Sequence, residues 1–173
     1  MKGTIITCVQ GMVEKKHGAA AWAKVLEAAG FPKGSVFVPG GDLPDDKAMK
    51  ILTSVGPSTG MSMDQVMETF GDYWANDYAS KMYAPYFSQA KTAMEFLLGM
   101  DSLHQRVTKS TANAHPPQFS YESVTEKSFV MVYHSARGLD GLIPGLVKGV
   151  ARRYGTTCTV QKVGPAKYKV AFA

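Results

Sequence analysis

At position 133 the chain reads Tyr-His-Ser-Ala-Arg, and in an extended strand with a two-residue repeat Tyr133, Ser135 and Arg137 fall on one face. A phenol, a hydroxyl and a guanidinium fork aimed the same way suit an anion with several oxygens. Carboxylates suit best, because arginine holds them with paired, charge-assisted hydrogen bonds. The same residues would also serve an ordinary strand whose polar side faces water. His104 is the second candidate. It follows Leu97 by seven residues and Met100 by four and precedes Val107 by three, on the apolar stripe of a helix, where an imidazole needs a partner. That partner is either a neighbouring carbonyl or a metal. His17, His115 and His134 have no second histidine or carboxylate three or four residues on along an apolar face. A metal site built from several protein ligands therefore has little support, and a single axial ligand to a cofactor that brings its own four nitrogens fits better.

The elements that must position these residues follow from periodicity. Ile5, Val9, Met12 and Val13, then Trp22, Val25, Leu26 and Ala29, predict two helices, the second ending at Gly30 and Pro32. Residues 31 to 44 read as turns, with Val36-Phe37-Val38 an extended connector. A helix is expected from about Pro44 to Val55, with Pro44 in its first turn and Gly56-Pro57 ending it. Ser62 and Gln65 form a capping box that opens a helix carrying Phe70, Tyr73 and Trp74. A break near Pro85 precedes the longest helix, about Ser88 to Ser110, which bears His104. After the loop Thr111–Pro117 come strands over 119–124 and 127–137, a helix from about Leu139 to Tyr154 closed by Gly155, and a hairpin about Gly164-Pro165. Helices followed by ββαββ predict an α+β fold: an N-terminal helical block, then a four-stranded antiparallel sheet with helices.

With 173 residues, 45% of them hydrophobic, the chain has the length and apolar content of one folded domain. No apolar run is long enough to cross a bilayer. The N-terminus does not read as a signal peptide, so a cytoplasmic location is expected. Two cysteines, Cys8 and Cys158, with no C-x-x-C, exclude a disulfide framework and a cysteine-rich zinc site. Residues 1–100 hold 9 Lys+Arg against 10 Asp+Glu, and residues 101–173 hold 10 against 4. The second part is short of an anion. Its basic residues are mostly spread as singles, without interleaved aromatics, which argues against nucleic acid. No nucleophile elbow, phosphate loop or paired carboxylates mark an enzyme.

The opening MKGTI, Gly71-Asp72-Tyr73-Trp74, the Met100-Asp101-x-x-His104 run, Pro116-Pro117 and Tyr133-x-Ser135-x-Arg137 occur together in one order. In that order the chain resembles, over essentially its whole length, the heme-nitric oxide/oxygen binding (H-NOX) domain, the gas-sensing module also found in soluble guanylate cyclase. The resemblance implies a single domain over 1–173, with a distal helical part at 1–60 and a proximal heme-bearing part at 61–173. It makes His104 the axial ligand of heme b and gives the two heme propionates to Tyr133, Ser135 and Arg137. By the same resemblance Pro117 presses the ring out of plane, and Ile5, Val9, Trp74 and Leu142 line the distal pocket. Leu142 occupies the position at which oxygen-binding relatives have a tyrosine, so NO, with CO, is the expected ligand rather than O₂. The implied action is a switch that releases the helix bearing His104 and signals to a histidine kinase or a cyclic-di-GMP enzyme. A non-heme module binding a carboxylate or lipid, and a heme enzyme, are the competing readings.

Overall fold

The computed structural model describes residues 1–111 and 114–173; two residues of the expected loop Thr111–Pro117, 112 and 113, lie outside the described residues. The chain divides into two compact units, Met1–Phe70 and Gly71–Ala173, ten residues beyond the expected division at 60.

In the first unit, α1 (Gly3–His17), α2 (Ala19–Ala28) and α3 (Asp45–Thr59) pack on one another. Val9, Met12, Val13, Val25 and Leu26 of the predicted stripes are buried, but Ile6 takes the core position expected of Ile5, which is half-buried. The connector between α2 and α3 folds back over the start of α1, where Gly3 N–H donates to the Gly41 carbonyl at 2.8 Å and Thr4 N–H to the Pro39 carbonyl at 3.0 Å. A Cβ on Gly3 would lie 2.0 Å from the Val38 carbonyl oxygen, so only glycine fits there. One expectation fails in this unit: α3 does not stop at Gly56-Pro57 but runs to Thr59, with Pro57 inside it. A proline's fixed φ suits a helix and removes only one hydrogen bond. The last turn is held by the Thr59 hydroxyl on the Val55 carbonyl at 2.7 Å and by Gly60 N–H on the Gly56 carbonyl at 2.9 Å. Pro44 is the residue before the helix, and Asp45 and Asp46 fill the first turn.

The capping box forms as expected: Ser62 N–H donates to Gln65 Oε1 at 2.8 Å, and Gln65 N–H to Ser62 Oγ at 3.2 Å. It opens α4 (Met63–Tyr73), which continues as a π-helical turn, Trp74–Tyr78, and then α5 (Ala79–Met82). The expected break at Pro85 is instead the first turn of α6 (Ala84–Gln89), and the expected long helix 88–110 is divided. Ala90 is extended, Thr92 caps α7 (Ala93–Leu98) by accepting Glu95 N–H, and Gly99 separates α7 from α8 (Met100–Thr108). The apolar stripe carries across Gly99, which hides the joint from periodicity.

The sheet is antiparallel throughout, in order β1-β2-β4-β3, from β1 (Gln118–Glu122), β2 (Ser128–His134), β3 (Cys158–Gly164) and β4 (Lys167–Phe172). A 3₁₀ turn, Asp140–Leu142, and α9 (Ile143–Arg153) link β2 to β3. Phe129, Met131, Tyr168 and Val170 on the inner face of the sheet form one core with Phe96, Val147 and Val150. Helix α9 meets the end of α4 backbone to backbone. A Cβ on Gly149 would lie 2.4 Å from the Gly71 carbonyl oxygen, and one on Gly71 would lie 2.0 Å from the Gly145 carbonyl carbon. Asn76 Nδ2, from the π turn, donates to the Gly149 carbonyl at 3.2 Å, and Arg152 Nε donates to Asp72 Oδ1 at 2.8 Å.

Candidate functional site

His104 lies in the middle of α8, and its ring meets Phe119 of β1 at 5.5 Å between centroids. Phe119 in turn meets Tyr133 edge-on at 5.7 Å, its directly paired residue on β2. One aromatic side chain therefore bridges the two candidates that the sequence picked out separately. The placement of α8 against β1 comes from Asp101, whose Oδ1 accepts Phe119 N–H at 2.9 Å while Oδ2 accepts Gln105 Nε2 at 2.7 Å. Asp101 precedes His104 by three residues and shares its side of the helix. It stands inside the Met100–His104 run, but its partner is eighteen residues away, so the sequence offers its position and not its role.

His104 is half-buried, with its Nδ1 shielded from solvent. Burial pushes its pKa down, opposed by the Pro117 backbone and, more weakly, by the Asp101 carboxylate. The neutral ring, the form that ligates metal, is favoured. Nδ1 is buried with no partner in hydrogen-bonding geometry, the Pro117 carbonyl included. Among the described residues no group of three or more His, Cys, Asp or Glu side chains could hold a metal ion. A bare ion would lack its other ligands. A macrocycle carrying its own four nitrogens needs one imidazole and a place for its acidic groups, so the residues present fit a heme.

The structure corrects the propionate motif in one respect. Strand β2 ends at His134, so Tyr133, Ser135 and Arg137 do not share a strand face. Ser135 Oγ accepts Arg137 N–H at 3.3 Å, a local turn that competes with strand pairing. Tyr133 lies in the core at 8% exposure, while the Arg137 guanidinium donates to the His115 carbonyl at 2.6 Å, two residues from Pro117. Tyr133 reaches His104 through Phe119, and Arg137 is anchored on the 115–117 segment, whose Pro117 backbone lies at His104.

Of the expected distal residues, Trp74 opens the π turn and stacks on Tyr78 at 5.5 Å and 24°. Leu142 ends the 3₁₀ turn and is buried at 7% exposure. Ile5 and Val9 belong to α1 of the first unit, Val9 fully buried and Ile5 half-buried.

An α+β unit that sets one half-buried helical imidazole against Phe119, itself packed on Tyr133, suits a heme-binding module, and solved structures share its fold. The chain is similar to a Cs H-NOX mutant carrying 4-cyano-L-phenylalanine (TM-score 0.88, 23% identity, covering 99% of this chain and 96% of that one). It is similar to the unliganded Fe(II) H-NOX protein of K. algicida (TM-score 0.86, 21% identity, covering 100% and 97%). A third likeness is to an oxygen-binding H-NOX domain solved as its oxygen complex (TM-score 0.83, 24% identity, covering 99% and 95%). The family model described as Haem-NO-binding matches residues 2–162, and the chain belongs to that family of heme-based gas sensors related to soluble guanylate cyclase. Among curated proteins it is 24% identical over 171 residues to "Soluble guanylate cyclase gcy-35" of Caenorhabditis elegans. That match takes in 96% of this chain and 25% of the relative's length, so the chain spans about a quarter of the curated relative it matches. Among the described residues no helix is long and apolar enough to cross a membrane.

Proposed function

We propose that the chain is a sensor of nitric oxide that binds heme b through His104, and that it signals through another protein rather than by catalysis. The observation that carries this reading is the buried Nδ1 of His104, left without a hydrogen-bond partner, in a unit with no group of metal-binding side chains among the described residues. Bound heme supplies a ferrous iron that takes a gas molecule. His104 holds the iron from α8; Tyr133, Ser135 and Arg137 bind the two propionates, drawing on the positive balance of this part of the chain. Pro117, whose backbone lies beside the imidazole, would press on the bound ring, as the resemblance implies. Ile5 and Val9 keep the distal role that the resemblance gives them.

Selectivity is assigned to Leu142 and Trp74. Oxygen bound at iron carries negative charge and gains from a hydrogen-bond donor, by roughly 1.5–3 kcal/mol where charge is involved, whereas NO does without one. Leu142 offers no donor, and Trp74 takes a packing role, its ring stacked on Tyr78. A gas shifts the protein only by favouring one arrangement over another. Here the part that responds is α8, which Asp101 ties to β1. A histidine kinase or a cyclic-di-GMP enzyme is the proposed receiver, and the cytoplasm the proposed location, in keeping with a sequence of only two cysteines and no C-x-x-C.

The test is the visible spectrum of the reduced protein exposed to NO and to air. A Soret band that shifts with NO and not with air is expected. His104→Gly should abolish heme retention unless free imidazole is supplied, and full retention without imidazole would overturn the assignment. Leu142→Tyr should raise oxygen affinity about tenfold or more, read from the oxygen-bound fraction in air. A colourless protein that takes up no hemin would leave a carboxylate-binding module instead.

A further inference from the structure

The 3₁₀ turn that ends in Leu142 is short, and a Cβ built on Gly138, just before it, or on Gly141, within it, would meet open space. Within the turn, Leu142 N–H donates to the Leu139 carbonyl at 3.1 Å and Ile143 N–H to the Asp140 carbonyl. The tie to the sheet is the Asp140 side chain. Its Oδ2 accepts the Tyr168 phenol at 2.8 Å and the Lys162 ammonium at 2.9 Å. Tyr168 and Lys162 are directly paired across β4 and β3, and the ammonium stands 5.5 Å from the centre of the phenol ring.

The two donors differ in kind. Tyr168 is 3% exposed, so its ring is packed in the core and its hydroxyl has a fixed place. The Lys162 side chain is 57% exposed and keeps much of its freedom. A fixed phenol sets where the carboxylate sits, and a mobile ammonium neutralises it. We infer that Asp140 is a positioning residue: the Tyr168 phenol fixes its carboxylate, the carboxylate fixes the turn, and the turn holds Leu142 in the gas-binding site. The inference deepens the reading of Leu142 given above and rests on it.

The experiment uses the full heme-loaded chain and two measurements, hydrogen exchange of the Leu142 and Ile143 amides and the rate at which the reduced protein takes up carbon monoxide. Tyr168→Phe removes the phenol donor, and it should speed exchange at both amides about tenfold and change the carbon monoxide rate by about threefold or more. Asp140→Ala should do the same, and it replaces Tyr168→Phe if that variant does not fold. Asp140→Asn keeps an acceptor for the phenol and should restore the carbon monoxide rate in large part. Lys162→Met should act in the same direction as Tyr168→Phe and more weakly. Leu142→Ala separates the two ideas. If it changes the carbon monoxide rate and the Asp140 and Tyr168 variants do not, the positioning role is overturned while the site stands. If Leu142→Ala leaves the rate unchanged, Leu142 does not face the gas and the inference falls with that reading.

Discussion

Two carboxylates in the second unit do comparable work by different means. Asp101 holds α8, and so His104, to the first residues of β1 through a backbone N–H, while the amide of Gln105 on its own helix steadies the carboxylate. Asp140 holds the Leu142 turn to β3 and β4 through a phenol and an ammonium. The first tie uses uncharged donors, one of them part of the main chain, and cannot be tuned by exchanging that partner. The second depends on side chains alone, one of them exposed. A tie made to the backbone fixes an element, whereas a tie made between side chains can be adjusted by substitution or by solvent.

Gly149→Ala should give the largest effect, because it drives a methyl into the Gly71 carbonyl and shifts α9, the helix that begins just after Leu142. A loss of about 3 kcal/mol is expected in denaturant unfolding, with the α8 side disturbed less in hydrogen exchange. Asp101→Ala comes next. Losing the acceptor for Phe119 N–H should cost about 2 kcal/mol and weaken heme retention, while exchange at Leu142 stays as in the parent protein. Equal loss of protection at Leu142 would show that the two ties are one network.

The smallest effect concerns charge at Asp140. The Lys162 hydrogen bond is the first cause holding that carboxyl below its ordinary 3.8, and Asp140 in turn raises Lys162 above 10.5. An acid with a lowered pKa stabilises the fold above its ordinary value and loses that contribution as pH falls through the folded one. A raised lysine stabilises below its ordinary value and loses it as pH rises through the folded one. The pair is thus intact from about pH 5 to 9, and the melting difference between the parent protein and Asp140→Asn should shrink below about pH 4 and again above about pH 10.5. High salt at pH 7 should narrow it slightly, since one partner is exposed.

The local devices in this chain are legible from the sequence. The capping box of Ser62 and Gln65, the stripes of α1 and α2, and the hairpin about Gly164-Pro165 all rest on neighbours a few residues apart. Three features are not legible for physical reasons. Pro57 continues α3 because a hydroxyl two residues on stabilises the turn, and the Gly99 joint leaves the apolar stripe in phase. Strand β2 stops early because Ser135 takes a backbone donor that a strand would have used. His104 could be read as a candidate because an imidazole on an apolar stripe is anomalous by itself. Phe119 and Asp101 could not, since each matters only through a partner brought close by folding.

The Gly99 joint has a further side. In an unbroken helix the Leu97 carbonyl would accept a donor from the next turn; here the Tyr121 phenol of β1 reaches it at 2.5 Å. The strand thus finishes the helix, and the end of α7 depends on a residue more than twenty positions away. Burial, the main cause, pushes the Tyr121 pKa far up, so this borrowed cap remains in place under alkaline conditions that ionise an exposed tyrosine.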